Sequence, residues 1–331
     1  MARSLAFPLL LLWGLVALAF LAALSLGAQK IAPGEVIGAL TGAETPARDL
    51  ILGLRLPRAL AAIVVGAALA VAGLVMQAIA RNPLADPSLT GVNAGAALAV
   101  VLGLMSFGAL PRAAVAGLAL GGAALAAVLV RLLAGRGETT LRLPLAGAAF
   151  ASICMSVVAL VVLMNPEARN IYRFWMVGSL AMADGPGLAA LAPVALGGMA
   201  LALIAARGIE AMMLSDELGA ALGVSPARVL SLGLGAIALT AGASVALAGP
   251  VGFIGLIAPH LARRLASGRT GSSLTALILI SAPLGAALAL SADTIGRIAI
   301  RPSELPVGLV LAMIGAPAFM LFVRQILRAR G

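Results

Sequence analysis

The side chains that could carry out chemistry are few in this 331-residue chain. It contains one histidine (His260), one cysteine (Cys154) and one lysine (Lys30), together with twelve carboxylates. Zinc enzymes with paired histidines are excluded by the single histidine. A nucleotide-binding P-loop needs the pattern G-x-x-x-x-G-K-[ST], and Lys30 stands in Ala-Gln-Lys-Ile instead. The chain therefore encodes neither metal-dependent hydrolysis nor ATP hydrolysis, and we predict no catalytic residue in it.

The rest of the chain is predominantly apolar. Hydrophobic residues make up 62% of the sequence and charged residues only 10%, which excludes an ordinary soluble domain. A helix needs about 20 apolar residues to cross a bilayer. Ten windows approach that length: 7–27, 58–80, 91–109, 112–133, 143–164, 187–206, 229–248, 251–266, 274–292 and 306–326. We predict an all-α polytopic membrane protein with about ten transmembrane helices, which form a single domain over residues 1–331.

The basic residues are spread over the loops between these spans. With both termini inside, thirteen arginines fall on the inner side and nine basic residues on the outer side, in the direction of the positive-inside rule. No basic domain could hold a nucleic-acid backbone, so we predict no nucleic-acid partner. Arg55 and Arg58 precede the second span, and Arg297 follows the ninth on the same outer side. Such arginines either reach lipid phosphates or bind the carboxylates of an acidic partner.

The carboxylates bear on the source of energy. A transporter coupled to an ion gradient would need carboxylates buried within its spans. None of the twelve lies in the middle of a predicted span, and Asp293, at the outer end of the ninth, comes nearest. The sequence therefore favours a partner protein over an ion gradient as the source of energy.

A polar, proline-broken segment follows the second span. Asn82, Pro83 and Leu84 lie in it, and Gln77 and Asn93 place amides in the flanking apolar helices. Irregular backbone at membrane depth is tolerated only where it packs in protein or lines a water-filled path. Two interpretations remain open for these five residues: hydrogen bonds between helices, or the lining of a translocation pathway and its inner gate.

The longest inner loop, at about 207–228, contains a short predicted helix. Ser215 can cap its N-terminus, and Gly223 can end it. Asp216 and Glu217 favourably occupy its first turn. The complete predicted helix consists of Leu214, Ser215, Asp216, Glu217, Leu218, Gly219, Ala220, Ala221, Leu222 and Gly223. A helix of this kind either lies on the membrane surface or inserts into a groove of a soluble partner.

The segment from Arg55 to Ala97 resembles, over its whole length, the signature of the iron-siderophore, haem and cobalamin permeases of bacterial ABC importers (FecCD type). Five further motifs follow in the order of that family: Phe174-Trp175-x-x-Gly178-Ser179-Leu180, Gly249 to His260, Asp293 to Arg297, Glu304 to Gly308 and Gly315 to Phe319. The resemblance extends over about residues 10–326, so the sequence is identified as a member of this family.

The resemblance implies a type II ABC importer permease fold that acts as a homodimer around a central pathway. Two ABC ATPase subunits would bind inside and use ATP and magnesium, while this chain would hold no cofactor or metal. A periplasmic or lipid-anchored substrate-binding protein would bind outside. The loop helix at 214–223 is similar to the coupling helix that inserts into the ATPase subunit. Arg55, Arg58 and Arg297 match arginines that receive glutamates from the two lobes of the binding protein.

We therefore expect a permease subunit in the bacterial inner membrane, with both termini cytoplasmic, that carries an iron(III)-siderophore by alternating access. Haem and cobalamin remain alternatives, because specificity in this family resides chiefly in the binding protein. An ion-coupled secondary transporter is the alternative from another class. An intramembrane enzyme would have only Cys154 and His260 available, and we assign His260 no catalytic or haem-ligating role.

Overall fold

The protein is all-α in a computed structural model that describes residues 6–135, 139–214, 224–266, 273–300 and 303–330. Twelve α-helices lie in these ranges: α1 (Ala6–Ser25), α2 (Pro33–Leu40), α3 (Leu56–Ile79), α4 (Val92–Phe107), α5 (Arg112–Ala134), α6 (Thr139–Met164), α7 (Pro166–Met176), α8 (Gly185–Leu214), α9 (Pro226–Ala248), α10 (Ile254–Ala266), α11 (Leu274–Ala299) and α12 (Val307–Arg330). A π-helical turn, Leu50–Arg55, leads into α3, and a 3-10 helix, Pro87–Thr90, precedes α4. The same ranges contain no strand, so the predicted fold class is confirmed.

Each of the ten predicted spans contains one of these helices, but the helices differ in length. Seven are long and apolar enough to cross a bilayer: α1, α3 with its π-helical turn, α5, α6, α8, α9 and α11. By contrast, α4 has 16 residues and α10 has 13, and α12 contains a shorter apolar stretch over Val307–Met320. Since a span needs about 20 residues, the described part of the chain has seven full-length spans where the sequence predicts about ten.

The centre of the bundle is α3. Its apolar window is 83% buried by the rest of the chain, and the windows of α9 and α11 are each 72% buried. The windows of α1, α5, α6 and α8 are only 17–28% buried. Outward apolar faces of this extent indicate contact with lipid or with another protein chain, so the structure has a packed centre and an apolar periphery.

Glycines set the distance between α3 and its neighbours. A Cβ atom on Gly66 would lie 2.3 Å from the carbonyl oxygen of Gly285 on α11. A Cβ atom on Gly73 would lie 2.0 Å from the carbonyl oxygen of Gly255 on α10. Non-bonded atoms cannot approach so closely, so both crossings depend on the missing side chains. Small residues allow helix backbones in membranes to approach one another in this way.

The substitution Gly73→Ala is expected to lower the free energy of unfolding by about 1–3 kcal/mol, because α3 and α10 must move apart to admit the methyl group. Gly121→Ala on α5 is the matched control, since a Cβ atom there meets nothing within 4 Å. Thermal unfolding in detergent micelles measures both variants. Equal melting temperatures would contradict the close approach of α3 to α10.

Candidate functional site

Two polar clusters lie at opposite ends of α3. Arg58 lies in the first turn of this helix and Gln77 in its last turn, and a rise of 1.5 Å per residue separates them by about 29 Å. At the arginine end, Arg58 contacts the end of α11, and Arg55 and Arg297 contact the end of α1. At the glutamine end, Gln77 lies close to α10 and to the junction of α8 and α11. Helix α3 therefore connects the two clusters directly.

At the arginine end, a buried carboxylate lies between two guanidinium groups. The Nε atom of Arg58 lies 3.0 Å from Oδ1 and 3.1 Å from Oδ2 of Asp293. Arg297, one turn further along α11, places its Nε 3.2 Å from Oδ2 of the same residue. Arg58 Nη1 also donates to Oε2 of Glu304 at 2.7 Å. Asp293 is only 2% exposed, and burial of such a charge requires this kind of paired, hydrogen-bonded surrounding.

The remaining arginine contacts hold the C-terminus of α1. Arg55 donates from Nη1 to the carbonyl of Leu24 at 2.6 Å and from Nη2 to the carbonyl of Gln29 at 2.5 Å. Arg297 donates from Nη2 to the carbonyl of Ala23 at 2.8 Å. The last carbonyls of a helix have no partner within it and carry partial negative charge. Arg55, in the π-helical turn before α3, and Arg297, on α11, therefore cap the C-terminus of α1.

The structure brings the three predicted docking arginines together at one end of α3, and they differ in exposure; their role in docking stays a prediction. Arg55 is 7% exposed and Arg297 is 4% exposed, whereas the side chain of Arg58 is 13% exposed. The sequence places Asp293 at the outer end of the ninth span. Helix α11 continues beyond it to Ala299, so Asp293 is buried inside a helix. Paired with two arginines, it acts as their counter-ion.

At the glutamine end, Gln77 links α3 to α10. Its Nε2 donates to the carbonyl of Gly255 at 3.1 Å, and its Oε1 accepts a hydrogen bond from Arg263. These contacts match the first interpretation of this residue, hydrogen bonding between helices. Gln77 also lines a cavity of about 260 Å³ together with Glu210 and Asn82, so a place beside the pathway remains open to it.

The polar break after α3 is an ordered turn on the surface of the chain. Asn82 accepts the N–H of Leu84 on its Oδ1 at 2.9 Å, and its carbonyl accepts the N–H of Ala85 at 3.1 Å. Asn82, Pro83 and Leu84 are all exposed, whereas Asn93 on α4 is half-buried. The three exposed residues are thus available to a neighbouring molecule.

Two contacts of α8 at the glutamine end were not foreseen from the sequence. Glu210, near the end of α8, accepts the N–H of Leu274, the first residue of α11. Arg81, just after α3, donates to the carbonyl of Met212. A glutamate near the end of an apolar helix was the available signal for the first contact. Nothing in the local sequence pointed to the second.

Three of the sequence motifs meet at one place beyond α7. The N–H of Ser179 donates to the carbonyl of Ala248 at 2.7 Å, at the end of α9. The N–H of Gly308 donates to the carbonyl of Gly178 at 3.0 Å, at the start of α12. The motifs that begin at Phe174, Gly249 and Glu304 thus hold the ends of three helices together.

The predicted coupling helix lies almost entirely outside the described residues. Helix α8 ends at Leu214 and α9 begins at Pro226, and residues 215–223 are not among those that the structure describes. Both flanking helix ends lie at the glutamine end. The role of this segment stays a prediction.

The chain is similar to known transport proteins over nearly its whole length. The sequence profile of the FecCD transport family matches residues 15–325. The chain is 39% identical to the ferric enterobactin transport system permease protein FepD of Escherichia coli (strain K12), over 98% of this chain and 96% of that protein. It is 38% identical to the hemin transport system permease protein HmuU of Yersinia pestis, over 83% of each. A solved structure assigned as an inward-facing metal-chelate type ABC transporter has a TM-score of 0.84 and 26% identity, covering 97% of this chain and 99% of that one.

Proposed function

This chain belongs to the FecCD transport family as a permease subunit of an ABC importer, and we propose that it moves an iron(III)-siderophore across the bacterial inner membrane. The observation that supports this choice of cargo is the 39% identity to a permease whose name specifies ferric enterobactin, an iron(III) chelate. Haem is the second candidate, supported by the 38% identity to a hemin permease. That similarity covers less of both chains, so we favour the siderophore.

We propose that two separate ATPase subunits bind the glutamine end and hydrolyse ATP with magnesium. The sequence has no P-loop of its own, so the energy must come from a partner. Helix α8 ends and helix α9 begins at the glutamine end, and the segment between them contains Asp216 and Glu217. A short helix beyond the bilayer is suited to insertion into a groove on a soluble subunit. The glutamine end would then face the cytoplasm, as would both termini.

We propose that the pathway runs between two copies of this chain. The centre of one copy is filled, because α3 is packed against α8, α9, α10 and α11 on its different sides. Two cavities of about 260 and 360 Å³ are each lined by residues of one end of the bundle. Asn82, Pro83 and Leu84 are exposed on the single chain, so at the dimer axis they could form the inner gate.

We propose that the arginine end receives the substrate-binding protein. Arg58 and Arg297 pair there with the two carboxylates Asp293 and Glu304, while Arg55 donates only to backbone carbonyls. The cluster of three arginines and two carboxylates therefore keeps a positive charge that suits an acidic partner. Arg58 is the member that reaches solvent, and Glu304 beside it is 36% exposed. Arg55 and Arg297 hold α1 and Asp293 in place, so their contribution to docking would be indirect.

Reconstitution of the importer into proteoliposomes tests the function. With the ATPase subunits, the binding protein and internal ATP, we expect uptake of an iron(III)-siderophore and none when the ATPase is omitted. The purified chain alone is expected to hydrolyse no ATP. A panel of iron(III)-siderophores, haem and cobalamin identifies the cargo.

Two results would contradict parts of this proposal. Uptake of haem or cobalamin alone would show that the cargo is wrong. Uptake driven by a proton or sodium gradient without the ATPase would support the secondary transporter instead.

A further inference from the structure

We infer that Arg81 and Glu210 are positioning residues, which tie the last turn of α8 to α3 and to α11 so that movement of α8 reaches the centre of the permease. The inference rests on the proposed function, because it needs an ATPase subunit that acts at the glutamine end. It assigns a role to two residues that neither the motifs nor the docking cluster includes.

Arg81 ties α3 to α8. It lies two residues after the end of α3, and its guanidinium donates to the carbonyl of Met212. Met212 lies two residues before Leu214, the last residue of α8 that the structure describes. Arg81 has a φ of +48°, a left-handed conformation that is unfavourable for any residue with a side chain. Such a conformation persists only where the surroundings hold it, and the bond to α8 is one such constraint.

Glu210 ties α8 to α11. Its carboxylate accepts the N–H of Leu274, the first residue of α11. The hydroxyl of Ser273 accepts the N–H of Ala276 at 3.2 Å, so two acceptors share the capping of this terminus. The first N–H groups of a helix lack partners and favour a negative charge. A shift of α8 would therefore either break this cap or move the start of α11.

Apolar packing joins the same helices. A Cβ atom on Gly208 of α8 would lie 2.6 Å from a methyl group of Val229 on α9. A Cβ atom on Gly233 of α9 would lie 2.6 Å from Cδ1 of Ile79 at the end of α3. The two helices that flank residues 215–223 are thus in close contact with each other, and α9 with α3. A displacement of that segment would act on all three.

Towards the arginine end, α3 and α11 are also held firmly to each other. The two helices are in backbone contact at Gly66 and Gly285, and Arg58 and Asp293 pair beyond that crossing. Close-packed elements of this kind move as units rather than deforming continuously. The cavity of about 260 Å³ beside Glu210 leaves space for α8 to shift against them. Arg81 and Glu210 therefore lie where a movement of α8 would be transmitted to the unit formed by α3 and α11.

The test compares transport with ATP hydrolysis in the complete reconstituted importer. For Arg81→Ala and Glu210→Ala we expect ATP hydrolysis within about twofold of the unmodified complex and cargo per ATP lowered about tenfold, within the range for mutations that alter coupling between sites. Arg81→Lys keeps a donor and Glu210→Gln keeps an acceptor, so both should recover much of the loss. Arg48→Ala, which removes only an exposed ion pair with Glu44 away from the glutamine end, is the control and should change neither quantity.

The outcomes separate the inference from the function on which it rests. Unchanged cargo per ATP in the alanine variants, or an equal fall of uptake and hydrolysis, would overturn the positioning role. If an alanine variant does not assemble, the same comparison is made with Arg81→Lys and Glu210→Gln, which should then show an intermediate loss of cargo per ATP. An unmodified complex without ATP-dependent uptake would overturn the proposed function instead.

Discussion

Asp293→Ala is expected to lower the free energy of unfolding by about 3–5 kcal/mol, the cost of removing one partner from a buried ion pair. The carboxylate of Asp293 lies between Arg58 and Arg297 and is 2% exposed. Without it, Arg297 keeps only the hydrogen bonds to the carbonyl of Ala23 and to the hydroxyl of Thr294. A guanidinium without a counter-ion in an apolar bundle destabilises the folded state. The packing of both α1 and α11 at this end should therefore weaken.

Thermal unfolding in detergent micelles measures this effect. Glu44→Ala is the control, because it removes an exposed ion pair with Arg48 at 3.4 Å and should change stability by no more than about 1 kcal/mol. The double variant Asp293→Leu with Arg297→Met should recover part of the stability, since it removes both buried charges together. Equal melting temperatures for Asp293→Ala and Glu44→Ala would show that Asp293 is not a buried counter-ion.

Lysine at both Asp216 and Glu217 is expected to reduce ATP-driven uptake by about tenfold or more, because an unfavourable charge at an interface costs several kcal/mol. Positive charge in the first turn of the predicted helix would also oppose its dipole. The two residues lie outside the described part of the chain, between α8 and α9. The described parts of α8 and α9 should remain folded, since the substituted positions lie outside them.

Co-purification of the ATPase subunits and uptake in proteoliposomes measure this second prediction together. Glu44→Lys introduces the same change of charge at an exposed position away from the loop and should leave both unchanged. Normal association and normal uptake in the double lysine variant would contradict the assignment of residues 214–223 to ATPase coupling.

The sequence by itself determined the features that depend on local interactions. In a bilayer every backbone polar group must be satisfied within the segment that crosses it, so the lengths of the apolar runs predicted a helix in each of the ten windows. The motifs between Arg55 and Phe319 identified the family because each is a contiguous stretch of sequence that can be read without knowing the fold. The apolar window 274–292 is shorter than α11, which ends at Ala299, because Asp293 and Arg297 are charged. A helix continues through such residues only when they find partners, and the partners are not local.

Only the tertiary structure decided which arginines are structural. Arg58 and Asp293 are 235 residues apart in the chain, and Arg297 and the carbonyl of Ala23 are 274 apart. Their residue types were visible, but their burial depends on where α1 ends beside α3 and α11. The sequence predicted that all three arginines lie on the outer side, whereas only packing shows that Arg55 and Arg297 are buried against carbonyls at the end of α1 and that Arg58 lies nearest to solvent. Whether a residue is buried depends on how the helices pack, so its neighbours in the sequence do not determine its burial.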